Sequence, residues 1–240
     1  MRQKKGGHML GKIIIEVLKF LGTALIITTI VDIFLMGPLL PHFAGKSKLS
    51  EFFVSPRSET LRTSDASYFE FQKNGGCAGF SSAFVLRHLG YAATGDETFK
   101  EVPYQMKGGA GVPKGISGFF KKKGIKMTAC TGNFNALKKE LERGNPVIVV
   151  IRSFVGKNDL HFACVTGYDQ ENVYFADSIQ SWVNVDKDGN PVQPDLEMPA
   201  SANESVYYNR VVPVSEFKKL WNTSMLKMPL YRNIFFVQSR

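Results

Sequence analysis

The segment FQKNGGCAGFSSAFVLRHLG, residues 71–90, decides the fold that we predict for this chain. Asn74-Gly75-Gly76 is a turn-forming stretch, and the run after it is typical of a helix from Cys77 that is closed by Gly90. Apolar side chains lie nearly all round this helix, which is the pattern of a central, buried helix. We therefore predict that Cys77 stands at the N-terminus of a buried helix.

Cys77 is a candidate nucleophile because of this position. A cysteine attacks as its thiolate, and a helix N-terminus beside a basic side chain lowers the thiol pKa. On position alone, an ordinary buried cysteine explains Cys77 equally well. Cys77, Cys130 and Cys164 are the three cysteines of the chain. In an exported domain this odd number leaves at least one free thiol.

A base for the thiol can be sought among the histidines of the chain, which are His8, His42, His88 and His161. His88 is on the helix of Cys77 and about 16 Å further along its axis, so it cannot touch the thiol. His8 lies in the N-terminal tail, and His42 lies at the edge of the membrane span that is predicted below. His161 lies in the alternating segment LHFACVTGY, residues 160–168. We predict a strand whose His161, Ala163 and Val165 face packs on the Cys77 helix.

The rest of the chain predicts an α+β domain, because helices come first and an antiparallel sheet later. We predict helices at 116–124, 137–143 and 214–221, the last capped by Ser215, and strands at 68–71, 147–151, 160–168, 173–176 and 233–238. A polar loop over 186–203 interrupts the sheet. This loop either shapes a substrate cleft or is a simple insertion.

A third group that orients the imidazole would complete a catalytic set. Asp177 follows the predicted strand 173–176, and a hairpin turning near Asp169 would bring it roughly opposite His161. Asp177 could instead cap a turn. Donors to an oxyanion would be the backbone N–H of Cys77 and the side chain of Gln72. A solvated surface position explains Gln72 nearly as well.

The segments 71–90, HFACVTGYDQENVYFADS at 161–178 and VSEFKKLW at 214–221 resemble the papain-like cysteine peptidases of the double-glycine leader peptidase type. The resemblance covers roughly residues 68–237. It implies a papain-like fold in which the Cys77 helix packs on an antiparallel sheet, a peptide or protein substrate and no cofactor. It also implies a Cys77–His161–Asp177 triad and an oxyanion hole completed by Gln72. Gln72 lies one residue closer to the cysteine than is usual in that family, and Ala78 replaces the usual glycine.

Three functions remain open on these residues. The first is a peptidase that acts through a thioester acyl-enzyme, and the second is a thiol acyltransferase, in which an amine replaces water. The third is a catalytically inactive papain-like binding protein. The spacing of Gln72 and the presence of Ala78 mildly favour it, whereas the intact Cys77, His161 and Asp177 argue against it. No pair of cysteines or histidines has metal-ligand spacing, so a metal-binding role ranks last. No phosphate-binding loop is present, so nucleotide hydrolysis has no support. The oligomeric state is not indicated.

The N-terminal fifth of the chain predicts a membrane anchor. FLGTALIITTIVDIFLMGPLL, residues 20–40, is long enough to span a bilayer, with Asp32 either protonated, paired or near the outer interface. Seven basic residues against two acidic ones in residues 1–50 carry +5 of the net charge of +9, which leaves little support for nucleic-acid binding.

Basic residues precede the apolar run, so its N-terminus stays in the cytoplasm and the catalytic domain faces outward. No clean cleavage site follows the run, which favours an uncleaved anchor over a signal peptide. We predict a cytoplasmic tail at 1–19, a transmembrane anchor at 20–41, a linker at 42–66 and a peptidase domain at 67–240.

Overall fold

The computed structural model describes residues 5–35, 42–43, 58–62, 70–72, 76–105, 111–153, 159–179, 184–185, 191–192, 210–223 and 232–239. The chain divides into two compact units, Met1–Leu40 and Pro41–Arg240. The long polar loop predicted at 186–203 lies outside these residues except for 191–192.

The first unit contains one long helix, α1, Lys5–Leu35. Its apolar stretch Met9–Val31 has 23 residues and a mean hydropathy of 2.1, so the helix is long and apolar enough to cross a membrane. This stretch begins well before Phe20, the first residue of the predicted span, and residues 36–41 of that span lie outside the described part of the chain. Asp32 directly follows this stretch in the sequence.

The second unit combines short helices with a large sheet. Its helices are α2 Cys77–His88, α3 Gly95–Glu101, α4 Pro113–Lys122, α5 Phe134–Leu141 and α6 Val214–Trp221. Its strands are β1 His42–Phe43, β2 Leu61–Arg62, β3 Lys126–Thr131, β4 Val147–Arg152, β5 Leu160–Tyr168, β6 Asn172–Ala176, β7 Asn184–Val185, β8 Pro191–Val192, β9 Arg210–Pro213 and β10 Ile234–Ser239. The predicted α+β class is confirmed.

Within the described residues, the main sheet has eight strands. Their order is β1-β3-β10-β4-β5-β6-β9, and β2 pairs with the end of β5. Every pairing in it is antiparallel except that of β1 with β3. β7 and β8 form a separate two-stranded sheet. Since β1 and β2 belong to residues 42–66, parts of the predicted linker are paired into the sheet of the second unit.

One face of the main sheet carries a core built on α5 and α6. Leu137 and Leu141 of α5, with Phe217 and Trp221 of α6, are buried against alternate residues of the central strands. Those strand residues include Val149, Ile151, Ala163, Val165, Val173, Phe175, Phe235 and Val237. The ring of Phe217 stacks on that of Trp221, with centroids 5.2 Å apart. This apolar layer makes the sheet a firm support for residues at its strand ends.

The opposite face of β5 meets α2. Ser81 Oγ donates to the Phe162 carbonyl oxygen over 2.8 Å, and Cys164 Sγ donates to the Ser81 carbonyl oxygen over 3.3 Å. The prediction that the Ala163 and Val165 face packs on the Cys77 helix is therefore wrong. Those side chains belong to the core under α5 and α6, whereas Phe162 and Cys164 face the helix. Both faces of β5 are buried, so its alternation did not show which face meets which helix.

The structure confirms most of the predicted elements and corrects a few. The predicted helix at Cys77 is confirmed, and Gly90 beyond its end has a φ of +86°. The predicted Ser215 cap is wrong, because α6 begins at Val214 behind Pro213 and has no side-chain cap. Phe71 lies outside any strand, while Tyr68 and Phe69 are outside the described residues. The elements α3, β3 and β9 and the two-residue strands β1, β2, β7 and β8 were not predicted from the sequence.

A bulge between Val165 and Gly167 shifts the register of β5 against β6. Beyond the bulge Tyr168 pairs with Val173, but before it Cys164 pairs with Ala176. Continuing that second register places Asp177 opposite Ala163, and opposite residues of paired strands point to the same face. Without the bulge, Asp177 would lie opposite Cys164 and point the other way. The bulge thus brings Asp177 to the His161 side of the sheet.

Candidate active site

Cys77 is the first residue of α2, and its side chain is half-buried. Its Sγ accepts a hydrogen bond from the backbone N–H of Phe162 over 3.4 Å. The N–H groups of a first helical turn have no intrahelical acceptor, and they carry the positive end of the helix dipole. The sulfur therefore sits between two sources of positive potential.

Close packing holds α2 in this place. A Cβ added at Gly79 would come within 2.6 Å of the carbonyl oxygen of Gly95, and one added at Gly111 would come within 2.6 Å of the Cβ of Ala78. These glycines let α3 and the segment before α4 approach the first turn of α2. Together with the Ser81 hydrogen bond to Phe162, this packing fixes where the Cys77 sulfur lies relative to β5.

His161 lies near the start of β5 and is buried, as is Asp177 just after β6. The imidazole Nε2 is 2.8 Å from Asp177 Oδ1, and the same oxygen accepts the backbone N–H of Ile179 over 3.0 Å. The imidazole also hydrogen bonds to the Cys77 side chain. Because Nε2 is used by Asp177, Nδ1 is the nitrogen that faces the sulfur.

The surroundings of Cys77 favour a thiolate. Burial by itself raises the pKa of the Cys77 thiol. The positive charge of His161, its hydrogen bond and the Phe162 N–H outweigh that burial, and they hold the pKa below the ordinary value despite the negative charge of Asp177. The order of these groups along the site explains the result, since the cation lies next to the sulfur and the carboxylate lies beyond it.

His161 shows the matching shift. Burial lowers the pKa of an imidazole, but the charges of Asp177 and Cys77 and its hydrogen bonds to both raise the pKa of His161 to about 10. A lowered thiol pKa beside a raised imidazole pKa favours a thiolate–imidazolium pair at neutral pH. Such a pair combines a ready nucleophile with a proton donor.

Gln72 lies beside the segment that follows Asp177. Its backbone N–H donates to the Ser178 carbonyl oxygen over 2.7 Å, and Ser178 Oγ donates to Gln72 Oε1 over 3.3 Å. With Oε1 accepting from Ser178, the Nε2 group can donate to another oxygen. Gln72 is exposed while Ser178 is buried.

The structure thus brings three predicted residues, Cys77, His161 and Asp177, into one hydrogen-bonded chain. It joins the fourth, Gln72, to the segment next to Asp177 through Ser178. Two further residues at the site were not predicted from the sequence: Ser178, which adjoins Asp177, and Arg210, whose Nη1 is 3.5 Å from Asp177 Oδ2. Arg210 stands far from the other residues in sequence, so only the pairing of β9 with β6 reveals its place.

The other two cysteines are buried in the sheet, and all three are free thiols. Burial raises the pKa of the Cys164 thiol far above its ordinary value. Within the ranges that the structure describes, no three His, Cys, Asp or Glu side chains are grouped in a way that could hold a metal ion. The described arrangement can supply a nucleophile, an acid–base group and its orienting carboxylate.

Comparisons with known proteins identify the family of the chain. Among solved structures, the chain resembles a C39-like peptidase from Bacillus anthracis, with a TM-score of 0.52 and 15% identity over 76% of this chain and 98% of that one. It also matches a double glycine motif protease from an AMS/PCAT transporter, solved with a leader peptide, with a TM-score of 0.45 and 13% identity over 77% and 97% of the two chains. A search of curated proteins gave no match. The sequence model of the Peptidase_C39 like family matches residues 64–215, well over half of the chain. The chain therefore belongs to the Peptidase_C39 like family.

Proposed function

We propose that this protein is a membrane-anchored cysteine peptidase whose catalytic domain lies outside the cytoplasm. The observation that carries the proposal is the hydrogen-bonded chain from Cys77 through His161 to Asp177, in a protein of a papain-like peptidase family. In this chain the nucleophile Cys77 has the base His161 beside it, and His161 has the carboxylate of Asp177 to orient it. The substrate class is a peptide or protein.

The reaction would proceed through a thioester. The Cys77 thiolate attacks the carbonyl carbon of the scissile peptide bond, and the oxyanion accepts hydrogen bonds from the Cys77 backbone N–H and the Gln72 side chain. The His161 imidazolium gives its proton to the leaving amine as the C–N bond breaks. His161 then takes a proton from water, the hydroxide attacks the thioester, and the acid product leaves with the Cys77 thiolate regenerated.

Helix α1 supports the anchoring part of the proposal. Its side chains are mostly apolar and largely exposed, including those of Leu18, Phe20 and Leu25. Exposed apolar surface of this extent needs a cover, which a bilayer provides. The excess of basic residues before the helix supports a cytoplasmic N-terminus. In place of the predicted tail at 1–19 and domain at 67–240, we propose a cytoplasmic tail at 1–8 and a peptidase at 41–240, because the apolar stretch begins at Met9 and the second unit at Pro41.

The test is alkylation of the full chain in detergent with iodoacetamide across a pH range, followed by peptide mapping. Cys77 should react much faster than Cys130 and Cys164 and should stay reactive below the ordinary thiol pKa of 9.0. Since the other two thiols are also less exposed, the pH dependence is the decisive readout. Slow labelling of all three cysteines at neutral pH would support the inactive binding protein instead.

A matched histidine pair sharpens this test. His161→Gln should abolish alkylation of Cys77 at neutral pH and lower kcat/KM for a peptide substrate about 10²- to 10⁴-fold, as expected for loss of a general acid–base group. His88→Gln is the control, because His88 is half-buried and bonded to the segment at Gly144 and Asn145. Equal losses in the two variants would contradict the proposal.

A further inference from the structure

Arg210 is a buried arginine behind the proposed triad. It is the first residue of β9, pairs with Phe175 of β6 and is 8% exposed. Arginine is almost never buried to this extent without a charged partner. The edge position of β9 would have allowed its side chain to reach solvent, so its burial needs a local explanation.

The Arg210 side chain is directed at Asp177. Its Nη1 lies 3.5 Å from Asp177 Oδ2, which is the distance of an ion pair. Its guanidinium carbon is 5.6 Å from the centre of the Phe175 ring, within the range of a cation–π contact. Glu216 of α6 is the second carboxylate whose charge acts on Arg210. Asp177 is fully buried, so water screens this ion pair little.

Asp177 is therefore shared between two cations. Oδ1 receives His161 and the Ile179 N–H, while Oδ2 faces Arg210. Four charged groups follow one another along the site: the thiolate, the imidazolium, the carboxylate and the guanidinium. Their charges alternate in sign and sum to zero. Without the guanidinium, the other three would carry one uncompensated negative charge in a buried region.

We propose that Arg210 is a positioning residue of this site, which clamps the Asp177 carboxylate from behind and cancels its charge so that the Cys77 thiolate persists at neutral pH. The inference rests on the proposed function. It adds to the triad a residue that touches neither substrate nor sulfur and acts through Asp177.

The charges that face each group agree with this role. His161 and Asp177 act on Cys77, and Cys77 and Asp177 act on His161. Asp177 also acts on Cys164, where Arg87 opposes it. The charge of Asp177 raises the pKa of Cys77, so a cation behind Asp177 acts in the opposite direction. Loss of that cation should therefore make the thiolate harder to form.

The experiment measures the rate of iodoacetamide alkylation at Cys77 against pH in the full chain in detergent. Arg210→Met and Arg210→Gln should move the acid limb of the profile to higher pH by about half a unit or more, a roughly threefold lower thiolate fraction on the limb. Arg210→Lys, which keeps the charge, should leave the limb near its original position. Arg232→Met is the control, because Arg232 is exposed and bonded to Asn222.

The outcomes separate the inference from the proposed function. The inference is overturned if Arg210→Met and Arg210→Gln fold and leave the acid limb of the alkylation profile at its original pH. It is also overturned if Arg210→Lys moves the limb as far as the neutral variants do. A purely structural role would lower the yield of folded protein without moving the midpoint. If Arg210→Met does not fold, Arg210→Gln decides, since it keeps hydrogen-bond donors. If unmutated Cys77 shows no thiolate below its ordinary pKa, the proposed function fails first.

Discussion

On folding, one proton moves from the Cys77 thiol to the His161 imidazole. This transfer sets the pH dependence of the pair's contribution to stability. The ordinary pKa values are 9.0 for the thiol and 6.5 for the imidazole, whereas in the folded chain the thiol pKa is lowered and the imidazole pKa is raised to about 10. Between pH 6.5 and 9.0, and above the lowered thiol pKa, the pair holds one proton in either state, on sulfur when unfolded and on the imidazole when folded. Its contribution to the free energy of unfolding is therefore constant in this window.

The contribution should shrink on the alkaline side of the window. Above pH 9.0 the unfolded thiol loses its proton while folded His161 keeps one until about pH 10, so stability falls as the pH rises.

Urea unfolding of the full chain in detergent, compared with a Cys77→Ser/His161→Gln variant, measures this contribution. The difference in free energy of unfolding between the two proteins should be flat just below pH 9.0 and smaller toward about pH 10. A difference that does not depend on pH would show that the pair is not charged in the folded chain.

The roles of Gln72 and Ser178 can be tested by comparing two reactions of Cys77, peptide cleavage and alkylation. Gln72→Ala should lower kcat for peptide cleavage by about 10²- to 10³-fold with little change in KM, because an oxyanion donor acts only in the transition state. Alkylation of Cys77 by iodoacetamide should be unchanged, since that displacement forms no oxyanion. Ser178→Ala should show a weaker form of the same pattern.

The control is Gln170→Ala, which removes an exposed amide that donates to Glu59. It should change neither reaction. If Gln72→Ala slows alkylation as much as cleavage, Gln72 acts on the thiol or on the fold, and the assignment of its amide to the oxyanion is wrong.

At the scale of elements, the contact between α2 and β5 carries the site, and two adjacent serines on α2 test it. Ser81 Oγ is hydrogen bonded to the Phe162 carbonyl oxygen, whereas the buried Ser82 Oγ has no hydrogen-bond partner among the described residues. Ser81→Ala should destabilise the protein by about 1–3 kcal/mol, because a buried polar group loses its partner.

Ser82→Ala is the matched variant, with the same change one position further along the helix. It removes a buried hydroxyl that has no partner in the described part of the chain, so it should be neutral or stabilising by up to about 1 kcal/mol. Urea denaturation of both variants gives the comparison. Equal destabilisation by the two substitutions would mean that the Ser81 hydrogen bond does not hold α2 on β5.

The sequence allowed the elements of the site to be predicted better than the contacts between them. Local signals, such as the glycines before Cys77 and the alternation of 160–168, gave the right helix and strand. The bulge at Val165 and Gly167 has no such signal, yet it decides on which side Asp177 lies. Arg210 was missed because no strand was predicted at residues 210–213, and only the pairing of β9 with β6 brings this arginine to the site.

At the scale of the whole molecule, α1 and the charges around it determine on which side of a membrane the second unit would lie. Arg2, Lys4 and Lys5 precede the apolar stretch Met9–Val31, and Lys46 and Lys48 follow the helix at some distance. Basic residues close to the end of a span resist transfer across the membrane, so the charge difference favours a cytoplasmic N-terminus. The same helix could act as a signal sequence, and an intact N-terminus distinguishes the two.

Alkaline phosphatase fused to Arg240 tests this orientation in a bacterial host, because the reporter needs disulfides that form outside the cytoplasm. We expect an active reporter and a fusion protein that stays in the membrane fraction. Its mass should show an uncleaved N-terminus that begins at Met1 or Arg2. Replacing Arg2, Lys4 and Lys5 by Gln should lower reporter activity per molecule, since the charge difference across the span is reduced. The matched replacement of Lys46 and Lys48 by Gln should leave it unchanged or higher. An inactive reporter on the unmodified chain would place the peptidase in the cytoplasm, and a soluble product cut after the helix would make α1 a removed signal.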